Sequence, residues 1–164
     1  MQAELTQGRF HVVQRRERLF SDLPSPTREA FEVITSVSLL PPGAIMFRER
    51  QAATGIIVLC EGRVKLSMCT ESSKRFTLRV VGPGEVLGLS ACLCDSPHEA
   101  TAVTLETVRV AVVRRNDLLQ FLREHHQACL QVVDLLSQDV HLAYDYLRSI
   151  AWGRGRRLRM ARVQ

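Results

Sequence analysis

Residues 84–104 read GEVLGLSACLCDSPHEATAVT. The stretch begins with turn residues, Gly84 and Gly88, and ends on alternating apolar and polar positions. It reads as a binding turn built to hold a charged ligand. Yet the two places where charged anchors belong carry Leu89 and His98.

Working outward, the flanking residues describe short strands joined tightly. LLPPGAIMFRERQAATGIIVLCEGRVKLSMC (39–69) contains a Pro-Pro-Gly turn, runs of Val, Ile and Leu, and a Glu61-Gly62 turn. FTLRVVGPGEVLGL (76–89) turns again at Gly82-Pro83-Gly84, and EATAVTLETVRVAVVRR (99–115) closes the set with alternating valines. Evenly spaced short strands with Gly/Pro turns predict a sandwich or barrel. Residues 9–37 read as helical around a turn at Ser21–Pro26, with Thr27 capping a short helix through Val37.

The period changes at Asn116. Asn116 or Asp117 caps a short helix, DLLQFLREHH, and a longer helix runs to about Ala151. Within it Cys129, Val133, Leu136, Val140, Ala143, Leu147 and Ile150 recur at alternating steps of four and three. That is an a/d seam sustained over three heptads, with Val132, Leu135, Leu142 and Tyr146 as a second stripe beside it. One helix face packed on its own barrel explains one stripe. Two stripes predict that the seam meets its twin in a homodimer.

Composition sets the bounds. The chain has 164 residues, 46% of them hydrophobic and 24% charged, ordinary for one globular domain with an appendage. No apolar run spans a membrane and no signal peptide is legible, which points to the cytoplasm. The net charge is +5, but six arginines lie from Arg148 onward without an acid, leaving −1 for residues 1–147. The basic character belongs to the tail, not to a nucleic-acid surface on the body. Five cysteines, an odd number in apolar segments, read as thiols, with Cys60 and Cys69 buried in strands.

Four segments, in order, resemble the sensor half of catabolite activator/FNR-type transcription regulators. LFSDLPSPTREAFEVIT (19–35) is similar to the lead-in helices, and LLPPGAIMFRE (39–49) to the first strand. TGIIVLCEGRVKLS (54–67) is similar to the strand–turn–strand, and GPGEVLG with CDSPHEATAVT (82–88, 94–104) to the phosphate-binding cassette. The resemblance implies a mainly β fold with flanking helices, a double-stranded β-helix (jelly roll) followed by a long dimerisation helix. It divides the chain into an N-terminal segment (1–17), a sensor domain (18–126), the helix (127–151) and a basic tail (152–164). It also implies a downstream winged helix-turn-helix for DNA, for which WGRGRRLRMARVQ is too short. RMARVQ is similar to the start of such a domain. The bland reading of the tail is a disordered arginine-rich segment, able at most to hold nucleic acid weakly by counterion release.

In cyclic-AMP-binding members a Glu accepts from the ribose 2′-hydroxyl, and an Arg neutralises the phosphate. Here Gly88, Pro97, Ala100 and Thr101 match, but Leu89 stands for the Glu, His98 for the Arg and Glu99 for a small residue. A buried 2′-hydroxyl without its acceptor loses roughly 1–3 kcal/mol, and a His offers no guanidinium fork. Ala143 and Tyr144 replace the Thr-Ser pair that reaches the adenine. Cyclic AMP in the usual pose is therefore disfavoured. The predicted lining is Gly88, Leu89, Ser90, Ala91, His98, Glu99, Thr101 and Tyr144, suited to a more apolar effector or simply filled. Metal binding by Cys92, Cys94 and His98 is disfavoured. So is haem on His98, His125 or His126, and an iron–sulfur cluster lacks cysteines before Cys60. A thiol switch at Cys92 or Cys94 stays open. No catalytic constellation is legible, and one histidine among residues 38–115 is too few for a cupin metal site. The expectation is a non-enzymatic effector sensor, or else a stand-alone dimeric interaction module.

Overall fold

The computed structural model describes residues 19, 20, 22–69 and 75–160, with side chains through 149. The chain forms two compact units, Met1–His125 and His126–Gln164.

In the first unit α1 (Ser25–Val33) leads into eight strands. These are β1 (Thr35–Leu40), β2 (Ile45–Phe47), β3 (Gly55–Glu61), β4 (Val64–Cys69), β5 (Arg75–Val81), β6 (Val86–Leu87), β7 (Thr101–Thr104) and β8 (Val108–Arg114). A short helix, α2 (Leu89–Cys94), sits between β6 and β7, and α3 (Arg115–Glu124) follows β8. The strands make two four-stranded antiparallel sheets, β1-β8-β3-β6 and β2-β7-β4-β5. Two sheets of this size are the double-sheet layout of a jelly roll, as the sequence led us to expect.

Side-chain alternation explains why the sheets close on each other. Leu59, Leu87, Val108 and Val110 from one sheet share a buried cluster with Phe47, Val64, Val81 and Ala102 from the other. Ile56, Val58 and Val113 have the opposite phase and are buried too, because α2 and α3 lie against β3 and β3/β8. With both faces covered, β3 reads as a continuous apolar run rather than an alternating one. On the helical side Phe20, Phe31 and Phe121 form an aromatic trio, with ring centroids 4.8, 5.4 and 5.3 Å apart.

The Pro-Pro-Gly turn is held by one buried side chain. Thr104 Oγ1 donates to Pro41 O (2.7 Å) and accepts from Ala44 N (2.8 Å), while Gly43 N donates to Thr104 O (2.9 Å). Gly43 itself sits at φ +77, the left-handed region that glycine enters freely.

Several boundaries differ from the sequence reading: α3 begins at Arg115 with Arg114 at its N-cap position, so neither Asn116 nor Asp117 caps it. The first helix ends at Val33, not Val37, and it begins without a side-chain cap from Thr27. Thr35, Ser36 and Val37 instead pair with β8, since a β-branched run favours the pleated ladder over a helix. The last helix, α4 (His126–Met160), forms the second unit and extends beyond Ala151. Its Trp-Gly-Arg-Gly stretch continues the helix despite two glycines, each costing about 1 kcal/mol relative to Ala. The helical reading of residues 9–18 lies outside the described residues.

Along α4, Val133, Val140 and Leu147 of the predicted seam are more than half exposed, Ala143 is exposed, and Cys129 and Leu136 are half-buried. Ile150 lies beyond the described side chains. No helix among the described residues is long and apolar enough to cross a membrane.

Thr104→Val keeps the shape of the side chain and removes both hydroxyl bonds. It should lower unfolding stability by about 1–3 kcal/mol with an unchanged m-value in a urea titration, because a buried amide and carbonyl lose a partner.

Candidate functional site

The 84–104 stretch begins on the inner face of the barrel with Glu85 and Leu87 and then passes through α2, which packs on β3. Leu87 pairs with Ile57 and joins the core, so Glu85, two residues earlier, has the same inward phase and is 3% exposed. Its Oε2 takes a charge-assisted bond from Arg79 Nη1 on β5 at 2.5 Å. Arg79 lies opposite Leu66, which lies opposite Ala102 of the core, so the arginine also projects from the inner face. The pair therefore ties one sheet to the other. Glu85 Oε1 is buried with no hydrogen-bond partner among the described residues.

β6 passes into α2 through Gly88, whose φ of +76 is left-handed. A side chain here is also excluded by contact, since a Cβ would stand 2.8 Å from His98 Cε1. The following helix buries Leu89 (4%), Ala91 and Cys92 and leaves Ser90 exposed. Its far end is held by Arg115, the first residue of α3, whose Nε donates to Cys92 O at 2.8 Å and lies 3.5 Å from Asp95 Oδ1.

His98 is buried, at 7% exposure, not a solvated loop histidine. Its backbone is fixed on both sides: its N donates to Gln51 O (2.9 Å), and its O accepts from Arg50 N (2.8 Å). Its ring stacks on Phe47 with centroids 3.9 Å apart and 15° between planes. Nδ1 is buried without a partner among the described residues. Burial pushes the imidazole pKa below its ordinary value, and the neighbouring Glu99 charge offsets this only in part.

The remaining predicted lining residues divide sharply. Thr101 is buried, and its hydroxyl accepts from Glu49 N at 3.0 Å, so that oxygen is already engaged. Glu99 is exposed. Tyr144 belongs to the second unit and is 59% exposed. The structure thus brings together Gly88 and His98 in direct contact, with Leu89 and Ala91 on the adjoining helix.

Of the cysteines, Cys92 is fully buried. Burial raises its thiol pKa, an effect that Arg115 opposes and Asp95 reinforces, so it holds little thiolate at neutral pH. Cys69 is exposed and Cys60 half-buried, contrary to the expectation that both are buried, because β4 ends at Cys69. Cys94 is exposed. Among the described residues no three His, Cys, Asp or Glu side chains are grouped to hold a metal ion.

Sequence reasoning missed two members. Phe47 was read only as the Phe after a turn, and Arg79–Glu85 was not singled out. The phase of Glu85 with Leu87 was the available signal for the second. No sequence pattern announces the first, because Phe47 and His98 are joined only by the fold.

The titration of His98 links the site to stability. Its folded-state pKa is lowered, so the unfolded chain takes up the proton at a higher pH than the folded one. The stability is fully present above the ordinary histidine value of about 6.5 and declines as pH falls through the window beneath it. His98→Phe should flatten that decline, measured as the wild-type minus variant difference in Tm between pH 7.5 and 5.

The cyclic nucleotide-binding domain family matches residues 38–125. A cyclic AMP receptor protein of Thermus thermophilus is 27% identical over 109 residues, 63% of this chain and 50% of that protein. The chain thus spans about half the length of the curated relative that it matches. The crystal structure of the Thermus thermophilus catabolite activator protein superposes with a TM-score of 0.73 at 22% identity, over 81% of this chain and 62% of that one. The sensor domain of the transcriptional regulator DNR from Pseudomonas aeruginosa gives 0.66 at 21% identity, over 79% and 87%. The N-terminal domain of a transcriptional regulator from Streptomyces coelicolor gives 0.65 at 24%, over 81% and 93%. With eight antiparallel strands, a glycine-initiated helix after β6 and a family match over more than half its length, the chain belongs to the cyclic nucleotide-binding domain family.

Proposed function

We propose that this chain is the effector-sensing and dimerisation domain of a transcription regulator, with a cassette that does not take cyclic AMP in the usual pose. The observation that carries this reading is the packing of position 98. Where cyclic-AMP-binding relatives have an arginine, this chain has a histidine stacked on Phe47 and turned into the apolar core. Leu89, buried at 4%, offers no acceptor to a ribose hydroxyl. The matched proteins carry the names of regulators, which supports a binding role rather than catalysis and a cytoplasmic place of action.

The dimer reading is supported by the α4 seam. Val133, Val140 and Leu147, exposed at 52–60%, form a row of large apolar side chains that a second copy would cover. Within the full protein, an effector that favours one seam geometry over another would shift the population of two downstream DNA readers. That winged helix, and the DNA it reads, belong to the proposal for the longer protein. The burial of Leu89, Ala91, Cys92 and His98 together favours a second reading: a filled cradle in a stand-alone dimeric interaction module.

Two experiments separate these readings from the ordinary cyclic AMP receptor. Calorimetry with cyclic AMP should show no saturable binding to the wild type. The double variant Leu89→Glu/His98→Arg should gain at least tenfold in affinity, about 1.4 kcal/mol. Tight binding by the wild type would overturn the reading of lost anchors. Val140→Asp should weaken self-association at least tenfold by light scattering while the circular dichroism spectrum is kept. An unchanged dimer would remove the seam from the interface.

A further inference from the structure

Among the described histidines, 98, 125, 126 and 141, only His98 is buried. Three independent features meet at its ring. Phe47 supports one face at 3.9 Å, Gly88 leaves room beside Cε1 that any side chain would fill, and Nδ1 has no partner. We propose that His98 makes the cassette a proton sensor: the neutral ring plugs the cradle over Phe47, and the protonated ring leaves it. The proposal rests on the reading of the cassette as an effector cradle, and it names the proton as one effector of that site.

The chemistry of Nδ1 drives the step. In the neutral tautomer with hydrogen on Nε2, the buried Nδ1 is a lone pair without a donor, a modest loss. Protonation places an N–H and a positive charge at the same atom, facing no acceptor, and a buried unpaired charge is far more costly. Among the described residues Glu99 is the charged group that acts on the ring, and the Glu85 carboxylate, at the head of β6, is held by Arg79. β2 presents Phe47, and α2 carries no charged residue. Asp95, at the end of α2, is 3.5 Å from Arg115. In the 48–52 turn, Arg48 and Arg50 are exposed and Glu49 Oε2 accepts from Cys69 N. Glu99, next in the chain, is exposed and attracts the imidazolium outward. The backbone bonds to Gln51 and Arg50 stay in place, so the ring rotates out about a fixed pivot. Its departure uncovers the face of Phe47 and the approach to Gly88, and it leaves a cation at the mouth where relatives hold an arginine.

Two-dimensional NMR of the chain between pH 7.5 and 5.0 tests this. The amides of Phe47, Gln51 and Gly88 should shift together with one midpoint, below the ordinary histidine value of about 6.5. The shifts should vanish in both His98→Phe and His98→Gln, two variants chosen so that loss of folding in one leaves the other. Shifts that persist in both variants, or a His98 midpoint at or above about 6.5, would overturn the plug. Sulfate, whose charge is constant over this range, then probes the cradle. It should bind the wild type at least tenfold more tightly at pH 5.0 than at 7.5, and bind His98→Phe equally at both. Equal binding by the wild type at both values would refute the plug and leave the cradle standing. Coupled shifts with no sulfate binding at either pH would uphold the plug and refute the cradle reading.

Discussion

Phe47 belongs to two packing systems at once. One side of its ring closes the buried cluster that joins the two sheets, and the other supports the imidazole of His98. The cassette is therefore built onto the core, not draped over it. Whatever moves His98 alters a face of the same ring that Leu59, Val64 and Leu87 pack around, which gives an event in a loop a route into the barrel.

Among the described residues Ser67, Glu85 and His98 each bury a polar atom without a hydrogen-bond partner, and two of the three lie at the cassette. Glu85 and His98, each with an unpartnered atom, flank the two ends of β6 and the residue after it, while Arg79 reaches Glu85 from the facing sheet. A fold that merely needed a core would be more stable with apolar residues there, because buried polar groups without partners cost free energy. The retention of Glu85 and His98 at the cassette accords with a site whose occupant or protonation state changes.

Much of the architecture was legible because it is written in short-range chemistry. Gly43, Gly62 and Gly84 occupy left-handed turns that their sequence context announces, and valine alternation announced the strand that became β8. The cassette was legible from Gly88, Pro97 and Thr101. The errors have equally local causes. Thr35–Val37 follow a helical segment with no breaker, so only pairing with β8 shows that they are a strand. The end of α4 was placed at glycines that one helix tolerates. The state of His98 was not readable, since exposure depends on Phe47 and Gly88, which are distant from it in sequence. Sequence placed His98 in the 84–104 stretch, and the fold shows its ring buried on Phe47.

The Arg79–Glu85 bridge has a further consequence, for how copies of this protein avoid one another. β5 and β6 are the outermost strands of their respective sheets, and such strands present open hydrogen-bonding groups to any passing chain. Inward-pointing charges are one way that such edges are protected, and here the carboxylate and guanidinium hold the two edges to each other from inside the barrel.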